Sequence, residues 1–283
     1  MKILMFGKTG QVATEILRRA CDIEVEALDR AAADQANPAA CAALVAKTNA
    51  DVIINAAAYT AVDKAEEDEA TASIINGEAP TAIANAAAAR KIPFLHISTD
   101  YVFHGNGDTP WVEDDKTAPV GAYGWTKLAG ESGVMTAGGS HAILRTSWVF
   151  SAHGANFVKT MLRLGADRDA LSIVDDQVGG PTAAGDIAEA LLTIAKAFHQ
   201  GKGASGVYHF AGTPAVSWRQ FAEAIFDEAG LQVDLTPIPS SDYPTPAARP
   251  LNSRLNCAKI KTDYGIEQPD WRAGLREVIG ELT

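Results

Sequence analysis

Lys2-Ile3-Leu4-Met5-Phe6-Gly7-Lys8-Thr9-Gly10-Gln11-Val12-Ala13 carries the strongest signal of fold class in this sequence. A short apolar run ends at Gly7, and a helical pattern that continues through Ile16 and Leu17 begins after Gly10. This order predicts a strand, a glycine turn and a helix. Glycines let the backbone approach a pyrophosphate, and the free N–H groups at a helix start suit its negative charge. Because the spacing Gly-x-x-Gly-x-x-Ala departs from the commonest dinucleotide fingerprint, a plain strand-to-helix turn stays open as the alternative.

A second predicted strand, Ile23 to Leu28, ends in Asp29-Arg30. In dinucleotide-binding sheets, an acidic group roughly 20 residues after the glycine turn meets the adenine ribose. Asp29 favours NAD, because its charge repels a 2′-phosphate. Arg30 and Lys8 favour NADP, because either side chain could pair with that phosphate. These residues leave the phosphorylation state of the cofactor open.

Apolar strand-like runs alternate with alanine-rich helical segments through the first 150 residues. The alternation predicts an α/β fold with a doubly wound parallel sheet, covered by helices on both faces. Two runs, Asp51 to Ala58 and Ile92 to Ser98, end in the polar pairs Tyr59-Thr60 and Thr99-Asp100. Ligands bind at the carboxyl ends of such strands, so both pairs are expected to face the cofactor. A further strand is predicted over His141 to Phe150.

The pattern loosens beyond about residue 151. A proline-rich stretch runs from Pro237 to Pro250, and an amphipathic helix is predicted near Trp271 to Leu282. We therefore expect a dinucleotide-binding domain over residues 1–150, to which later segments return, and a smaller α/β substrate-binding lobe over residues 151–283.

Tyr123 and Lys127 are four residues apart in a predicted helix, so they share one face. A free phenol with a pKa near 10 is a poor acid or base at neutral pH, whereas an adjacent ammonium stabilises the phenolate. The pair is therefore a candidate proton donor for catalysis. A surface helix is the alternative explanation of this short match.

Composition excludes several other classes of protein. The 283-residue chain has a net charge of −11 and no cluster of Lys and Arg, which argues against nucleic acid as a partner. No apolar run approaches the ~18 residues of a membrane span, and the N-terminal run is too short for a secretory signal. Three separated cysteines fit reduced thiols. We expect a cytoplasmic protein without a membrane partner.

Several motifs together carry a family resemblance. They are the glycine turn, Asn55 to Ala58 with Thr60 to Asp63, Ser98 to Phe103, Tyr123-x-x-x-Lys127, Arg145 to Trp148, Asp176 to Thr182 and Tyr243 to Leu255. In this order the chain resembles the extended short-chain dehydrogenase/reductases, which have a Rossmann-type sheet. More closely, it resembles the dTDP-4-dehydrorhamnose reductase family, over essentially its whole length. The resemblance implies reduction of the C4 ketone of dTDP-4-dehydro-L-rhamnose to dTDP-L-rhamnose by hydride from NADPH, with NADH as the alternative cofactor.

The chemistry of ketone reduction needs a proton donor and a polarising hydrogen bond at the oxygen. The resemblance implies that Tyr123 is the proton donor. It also implies that Lys127 lowers the pKa of Tyr123 and holds the nicotinamide ribose, and that the Thr99 hydroxyl forms a hydrogen bond with the ketone or a neighbouring sugar hydroxyl. Asp100 completes the catalytic set, beside the sugar. The predicted cofactor contacts are Gly7, Thr9, Gly10, Gln11, Val12, Asp29, Arg30, Asp34, Gln35, Ala57, Ala58, Tyr59, Thr60, Ile97, Tyr123 and Lys127. The predicted substrate contacts are Thr99, Asp100, Tyr123, Trp148 and Arg249.

The resemblance also implies a homodimer and a metal site, because some members of the family are dimers that hold Mg²⁺ between carboxylates. The matching positions are Glu15, Asp186 and Glu281. One of them has Asp where Glu is usual. Magnesium needs several oxygen ligands in a near-octahedral array, whereas acids on helix surfaces are ordinarily solvated.

Three alternative functions stay open. A nucleotide-sugar 4,6-dehydratase shares the Tyr/Lys pair, but resembling dehydratases have Asp-Glu after the threonine, and here Asp100 is followed by Tyr101. A non-catalytic relative, similar to the regulatory subunits of methionine adenosyltransferase, is a second alternative. The third is a reductase of another 4-keto sugar nucleotide, with the same residues and a different pocket.

Overall fold

The structure, a computed structural model, describes residues 1–282. The strands in chain order are β1 (Lys2–Phe6), β2 (Glu24–Leu28), β3 (Val52–Asn55), β4 (Phe94–Thr99), β5 (His141–Thr146), β6 (Val149–Phe150), β7 (Ala170–Val174), β8 (Val178–Gly179), β9 (Thr182–Ala183), β10 (Gly206–His209), β11 (Val216–Ser217), β12 (Asp234–Ile238) and β13 (Asn252–Ser253). The α-helices are α1 (Gln11–Arg19), α2 (Pro38–Lys47), α3 (Val62–Ala65), α4 (Glu69–Ser73), α5 (Ala79–Arg90), α6 (Ala122–Thr136), α7 (Phe157–Asp167), α8 (Ala184–His199), α9 (Trp218–Ala229), α10 (Ala258–Tyr264) and α11 (Trp271–Leu282).

A parallel sheet in the order β10-β5-β4-β3-β1-β2 forms the centre of the molecule. From β1 the chain crosses to β2 on one side and then returns to β3 on the other. The strand order therefore reverses between β1 and β3, and this reversal opens a crevice at the carboxyl ends of the strands. The predicted doubly wound sheet is confirmed.

Both faces of the sheet are buried, and alternate residues of each strand point to opposite layers. Ile3 and Met5 pack in the layer that contains α1 and α8. Leu4 and Phe6 pack in the layer that contains α2, α5 and the carboxyl end of α6. Because both faces are covered, the inner strands β1 and β3 are almost continuously apolar, whereas the edge strand β2 exposes Glu24 and Glu26.

A second core joins α7, α9 and α11 in the later part of the chain, with Phe221 and Trp271 fully buried in it. However, α8 covers the central sheet beside α1, and β10 extends that sheet beyond β5. The segment from α8 to β10 thus belongs to the central sheet and its helices, although it lies late in the sequence.

The predicted strand over His141 to Phe150 is wrong as a single element. It breaks after Thr146, where Trp148 adopts a left-handed backbone with φ +48°. β6 then pairs with β9 instead of continuing the central sheet. A left-handed conformation is strained for a bulky residue, and such strain concentrates at functional sites.

Within residues 1–282, no helix is both long and apolar enough to cross a membrane.

Candidate active site

A cleft of about 840 Å³ lies at the carboxyl ends of β1, β3 and β4. It contains every predicted cofactor contact, together with Thr99, Asp100 and Trp148. The lining includes Gly7, Thr9, Gly10, Gln11, Val12, Asp29, Arg30, Asp34, Gln35, Ala57, Ala58, Tyr59, Thr60, Ile97, Thr99, Asp100, Tyr123, Lys127 and Trp148. Residues from distant parts of the chain therefore meet at the reversal of the strand order.

The glycine turn has the geometry that close backbone packing requires. Gly7 has φ +105°, and a Cβ there would lie 3.1 Å from the backbone of Ala56 and Ala57. Gly10 caps α1 with an extended backbone and without a side-chain hydrogen bond to the first helical turn. The N–H groups at the start of α1 therefore face the cleft unscreened by a capping side chain, as a pyrophosphate site needs.

The adenosine end of the cleft carries both charges that the sequence predicted. Asp29 follows β2, and its Oδ1 accepts a 3.0 Å hydrogen bond from Ala32 N. The Arg30 side chain is 80% exposed, and its Nε lies 3.6 Å from Asp34 Oδ2. An arginine held by a single exposed partner can turn toward a ligand at little cost.

Tyr123 lies in the first turn of α6 and faces Thr99 and Asp100 at the end of β4. Burial raises the pKa of the Tyr123 phenol, and the Asp100 charge raises it further, whereas a hydrogen bond with Thr99 acts in the opposite direction. Thr99 Oγ1 also donates to Asp100 Oδ1 at 3.1 Å. Burial raises the pKa of Asp100 to about 6. The phenol is thus fully protonated at neutral pH in the free protein.

Lys127 is buried on the same face of α6, but its ammonium group is directed at the sheet. Nζ donates to Ile97 O at 2.8 Å and lies 3.3 Å from His96 Nε2. Burial lowers the pKa of Lys127 to about 8. The expected lowering of the Tyr123 pKa by Lys127 is absent from the free protein, since burial and Asp100 act on the phenol instead.

Buried polar atoms without protein partners lie in this region. Among the cleft-lining residues they include Ser98 Oγ, Asp100 Oδ2 and Thr146 Oγ1. A buried polar group without a hydrogen bond is costly, so such atoms mark where a polar ligand fits. Together with the uncapped start of α1, they fit a dinucleotide and a hydroxyl-rich substrate.

Trp148 connects the cleft to the later core. Its ring stacks on Trp218 of α9 with centroids 3.5 Å apart and an interplanar angle of 10°. Trp218 Nε1 donates to Gln177 Oε1 at 3.0 Å, which fixes the outer ring. The left-handed backbone therefore presents Trp148 to the cleft with its other face supported by the second core.

Arg249 does not line the cleft. Its Nη2 donates to Asp63 Oδ2 at 2.7 Å, and Asp63 Oδ1 accepts from Ala247 N. Arg249 nevertheless lies close enough to the buried Tyr101 to lower the pKa of that phenol. The predicted substrate contact of Arg249 thus requires the arginine to leave or share its carboxylate partner.

Comparison with known proteins identifies the family. The sequence model of the RmlD substrate binding domain matches residues 1–283. This chain belongs to that family. A dTDP-4-dehydrorhamnose reductase from Shigella flexneri is 42% identical over 293 residues, which cover 100% of this chain and 98% of the relative.

Two solved structures resemble this RmlD-family chain closely. A dTDP-4-dehydrorhamnose reductase from Clostridium acetobutylicum has a TM-score of 0.93 and 37% identity, with 100% of this chain and 99% of that chain covered. A dTDP-4-dehydrorhamnose reductase from Bacillus anthracis, solved in complex with NADP, has a TM-score of 0.93 and 31% identity, with 99% of each chain covered.

The three predicted metal ligands do not fit a magnesium site in this RmlD-family chain. Glu15 pairs with Arg18 and Arg19, and Glu281 pairs with Arg18. Asp186 is buried without a partner for Oδ2. Among residues 1–282, no group of three or more His, Cys, Asp or Glu side chains could hold a metal ion. Mg²⁺ therefore has no support here, because arginines, which a sequence match of acids ignores, pair with two of the three carboxylates, Glu15 and Glu281.

Sequence reasoning missed three buried residues that support the site. Asn76 accepts from Tyr59 N at 2.8 Å and donates to Thr126 Oγ1 at 3.1 Å, so it ties the cleft wall to α6. Asn55 and His96 connect the sheet to Lys127. The signal for the last two was available, since each is a polar residue in an apolar strand.

Proposed function

We propose that this chain reduces the C4 ketone of dTDP-4-dehydro-L-rhamnose to dTDP-L-rhamnose, with hydride from NADPH. The observation that carries the proposal is the convergence of Tyr123, Thr99 and Asp100 in the cleft that the glycine turn enters. Membership of the RmlD family supports the substrate, because relatives named dTDP-4-dehydrorhamnose reductase align over the full chain.

The residues of the site divide the chemistry of ketone reduction. Bound NADPH supplies the hydride. Tyr123 donates its proton to the ketone oxygen, where negative charge develops, and Thr99 donates a hydrogen bond to the same oxygen or to a neighbouring hydroxyl. The raised pKa of Tyr123 keeps this proton on the phenol until a stronger base forms. Lys127 holds the nicotinamide ribose and stabilises the resulting phenolate.

NADPH is favoured over NADH by two independent features. Arg30 is highly exposed at the adenosine end of the cleft, with Lys8 in the same lining. Either cation can pair with a 2′-phosphate, whereas Asp29 opposes it. The Bacillus anthracis relative was solved with NADP. In the proposed complex, Arg30 exchanges Asp34 for the phosphate.

The later part of the chain supplies the proposed substrate side. Trp148 presents an aromatic face to the sugar nucleotide, supported by Trp218. Arg249 offers its guanidinium to the diphosphate after releasing Asp63. In this proposal residues 151–283 form the substrate lobe, apart from the segment that returns to the central sheet. The homodimer and the cytoplasmic location stay predictions from the sequence.

Dehydration is disfavoured by the neighbour of Asp100. Tyr101 packs edge-on against Tyr123, with ring centroids 5.5 Å apart, and occupies the position of the glutamate in resembling dehydratases. Burial raises the pKa of Tyr101, so its phenol stays protonated and cannot replace the carboxylate base of a dehydratase. Reduction of another 4-keto sugar nucleotide uses the same residues and is the second candidate, which a panel of substrates separates.

The test is NADPH consumption with enzymatically generated dTDP-4-dehydro-L-rhamnose, and identification of the product by NMR. We expect stoichiometric formation of dTDP-L-rhamnose and slower or no turnover of other 4-keto sugar nucleotides. Absence of turnover by folded protein that still binds NADPH would overturn the proposal.

A further inference from the structure

A chain of four buried polar side chains runs through the sheet to Lys127. Its members are Gln35, Asn55, His96 and Lys127, each at most 5% exposed. Gln35 Nε2 donates to Asn55 Oδ1 at 2.7 Å, Asn55 Nδ2 lies 3.3 Å from His96 Nδ1, and His96 Nε2 lies 3.3 Å from Lys127 Nζ. Buried polar groups require partners, so each contact needs one donor and one acceptor.

The direction of this chain is fixed at Asn55. The backbone N–H of Ala57 donates to Asn55 Oδ1 at 3.2 Å, and Gln35 Nε2 donates to the same oxygen. Because a backbone N–H can only donate, the carboxamide oxygen must face Ala57 and its Nδ2 must face His96. Asn55 therefore donates to Nδ1, and the neutral imidazole carries its proton on Nε2.

The Nε2–H group of His96 consequently points at Lys127 Nζ as a donor. An ammonium group has three donors and no acceptor, whereas a neutral amine can accept this hydrogen bond. Ile97 O accepts from Nζ on the other side. The direction of these hydrogen bonds thus suits a neutral amine at Lys127 better than an ammonium group.

Other groups that face Lys127 act on its charge in both directions. Glu131 of α6 raises the pKa of Lys127, but its carboxylate is itself paired with Arg145 of β5 at 2.7 Å. Burial lowers the pKa of Lys127 and outweighs Glu131. Burial lowers the pKa of His96, and the charge of Lys127 in its protonated form lowers it further, so the imidazole stays neutral.

We propose that His96 is a positioning residue of this site, which Asn55 holds in the Nε2–H form, and that it aligns Lys127 and opposes protonation of Nζ. The inference rests on the proposed function for its meaning in turnover. The tautomer itself is a property of the free protein and is measurable without substrate or cofactor.

The first test is long-range ¹H–¹⁵N NMR of the histidine rings in the free, full-length protein at pH 6 and pH 8. We expect His96 to be neutral with its proton on Nε2 at both pH values. His209 provides an internal control, because its Nδ1 lies 3.0 Å from Trp111 O and must donate there. It should show the opposite tautomer. A proton on Nδ1 of His96, or an imidazolium at pH 6, would overturn the proposal.

The second test reverses the direction of the hydrogen bonds between residue 55, His96 and Lys127. In Asn55→Asp a carboxylate accepts from the imidazole, so the proton of His96 should move to Nδ1 and Nε2 should then accept from a Lys127 ammonium. The ¹³Cε shift of Lys127 should report a raised pKa. Gln35→Met is the matched control, because Ala57 still orients Asn55, and it should retain the Nε2–H tautomer. An unchanged tautomer in folded Asn55→Asp contradicts the proposal. If that variant does not fold, the tautomer of His96 in the wild-type spectrum is the deciding result.

The tautomer of His96 and the turnover of the sugar nucleotide are measured independently. The Nε2–H tautomer without turnover of the sugar nucleotide would leave the role of His96 toward Lys127 intact and remove the proposed function. Turnover with the opposite tautomer would do the reverse.

Discussion

Asp100 raises the pKa of the neighbouring Tyr123 phenol, while burial raises the pKa of Asp100 itself to about 6. The Asp100 carboxylate therefore opposes ionisation of the phenol, in addition to the larger effect of burial on Tyr123. A protonated phenol is what a proton donor to a ketone requires before hydride arrives.

Removal of the phenolic hydroxyl tests Tyr123. Tyr123→Phe keeps the ring that packs against Tyr101 but has no proton to donate. We expect kcat to fall by about 10² or more, with the Kd for NADPH nearly unchanged. Steady-state kinetics and fluorescence titration measure the two quantities. Near-normal turnover would exclude Tyr123 as the donor.

The buried carboxyl of Asp100 makes the free energy of unfolding depend on pH. Its pKa rises from the usual 3.8 to about 6, so the folded state binds more protons between these values and wild-type stability falls as pH rises through this window. Asp100→Asn has no such charge. We expect the variant to be more stable than wild type by roughly 3 kcal/mol above pH 6.5 and little changed near pH 4. Denaturant titration at both pH values measures this, and equal differences at both would argue against a raised pKa.

Variants of Arg249 and Asp63 distinguish a role of Arg249 in substrate binding from a role in anchoring its loop. If Arg249 contacts the diphosphate, Arg249→Gln should raise KM for the sugar nucleotide about tenfold or more with a small change in kcat. Asp63→Asn is the matched control, because it removes the 2.7 Å ion pair and keeps the guanidinium. We expect Asp63→Asn to leave KM unchanged or lower it. Equal increases in KM for both variants would show that the arginine only anchors its loop.

The two glycines of the turn should fail in different ways. In Gly7→Ala the left-handed backbone and the close approach to Ala56 impose strain, so we expect a loss of roughly 1–3 kcal/mol in stability. In Gly10→Ala the added Cβ meets only Ala56 O at 3.9 Å, so stability should hold. NADPH affinity should fall, because the methyl group faces the pyrophosphate. Thermal denaturation and cofactor titration distinguish the two, and equal melting temperatures would contradict the role of Gly7.

The sequence predicted the central sheet well because local signals and tertiary packing agree there. Lys2 to Phe6 is the first strand as predicted, and Tyr123 and Lys127 share one helix face. The break at Trp148 was not predictable, because an apolar run gives no sign of a left-handed residue. The Trp148 ring stacks on Trp218, and this partner is distant in sequence.

Partners decide the parts of the site that sequence matching misjudged. Lys127 was expected to act on Tyr123, but Ile97 O and His96 take its Nζ in the free protein. Glu15 was expected to bind a metal, but Arg18 and Arg19 lie beside it. A motif identifies which side chains are present, whereas protonation and pairing depend on neighbours that only the fold assembles.

Transfer of deuterium to the sugar from NADPH that is deuterated at both C4 positions of the nicotinamide is the decisive measurement of the proposed hydride transfer. The full-length protein is incubated with dTDP-4-dehydro-L-rhamnose and the labelled cofactor, and the product is examined by NMR. We expect wild type to form dTDP-L-rhamnose with deuterium at C4 of the sugar, and Tyr123→Phe to form it about 10²-fold or more slowly. Unchanged ketone in the presence of folded, NADPH-binding wild-type protein would contradict the proposed hydride transfer.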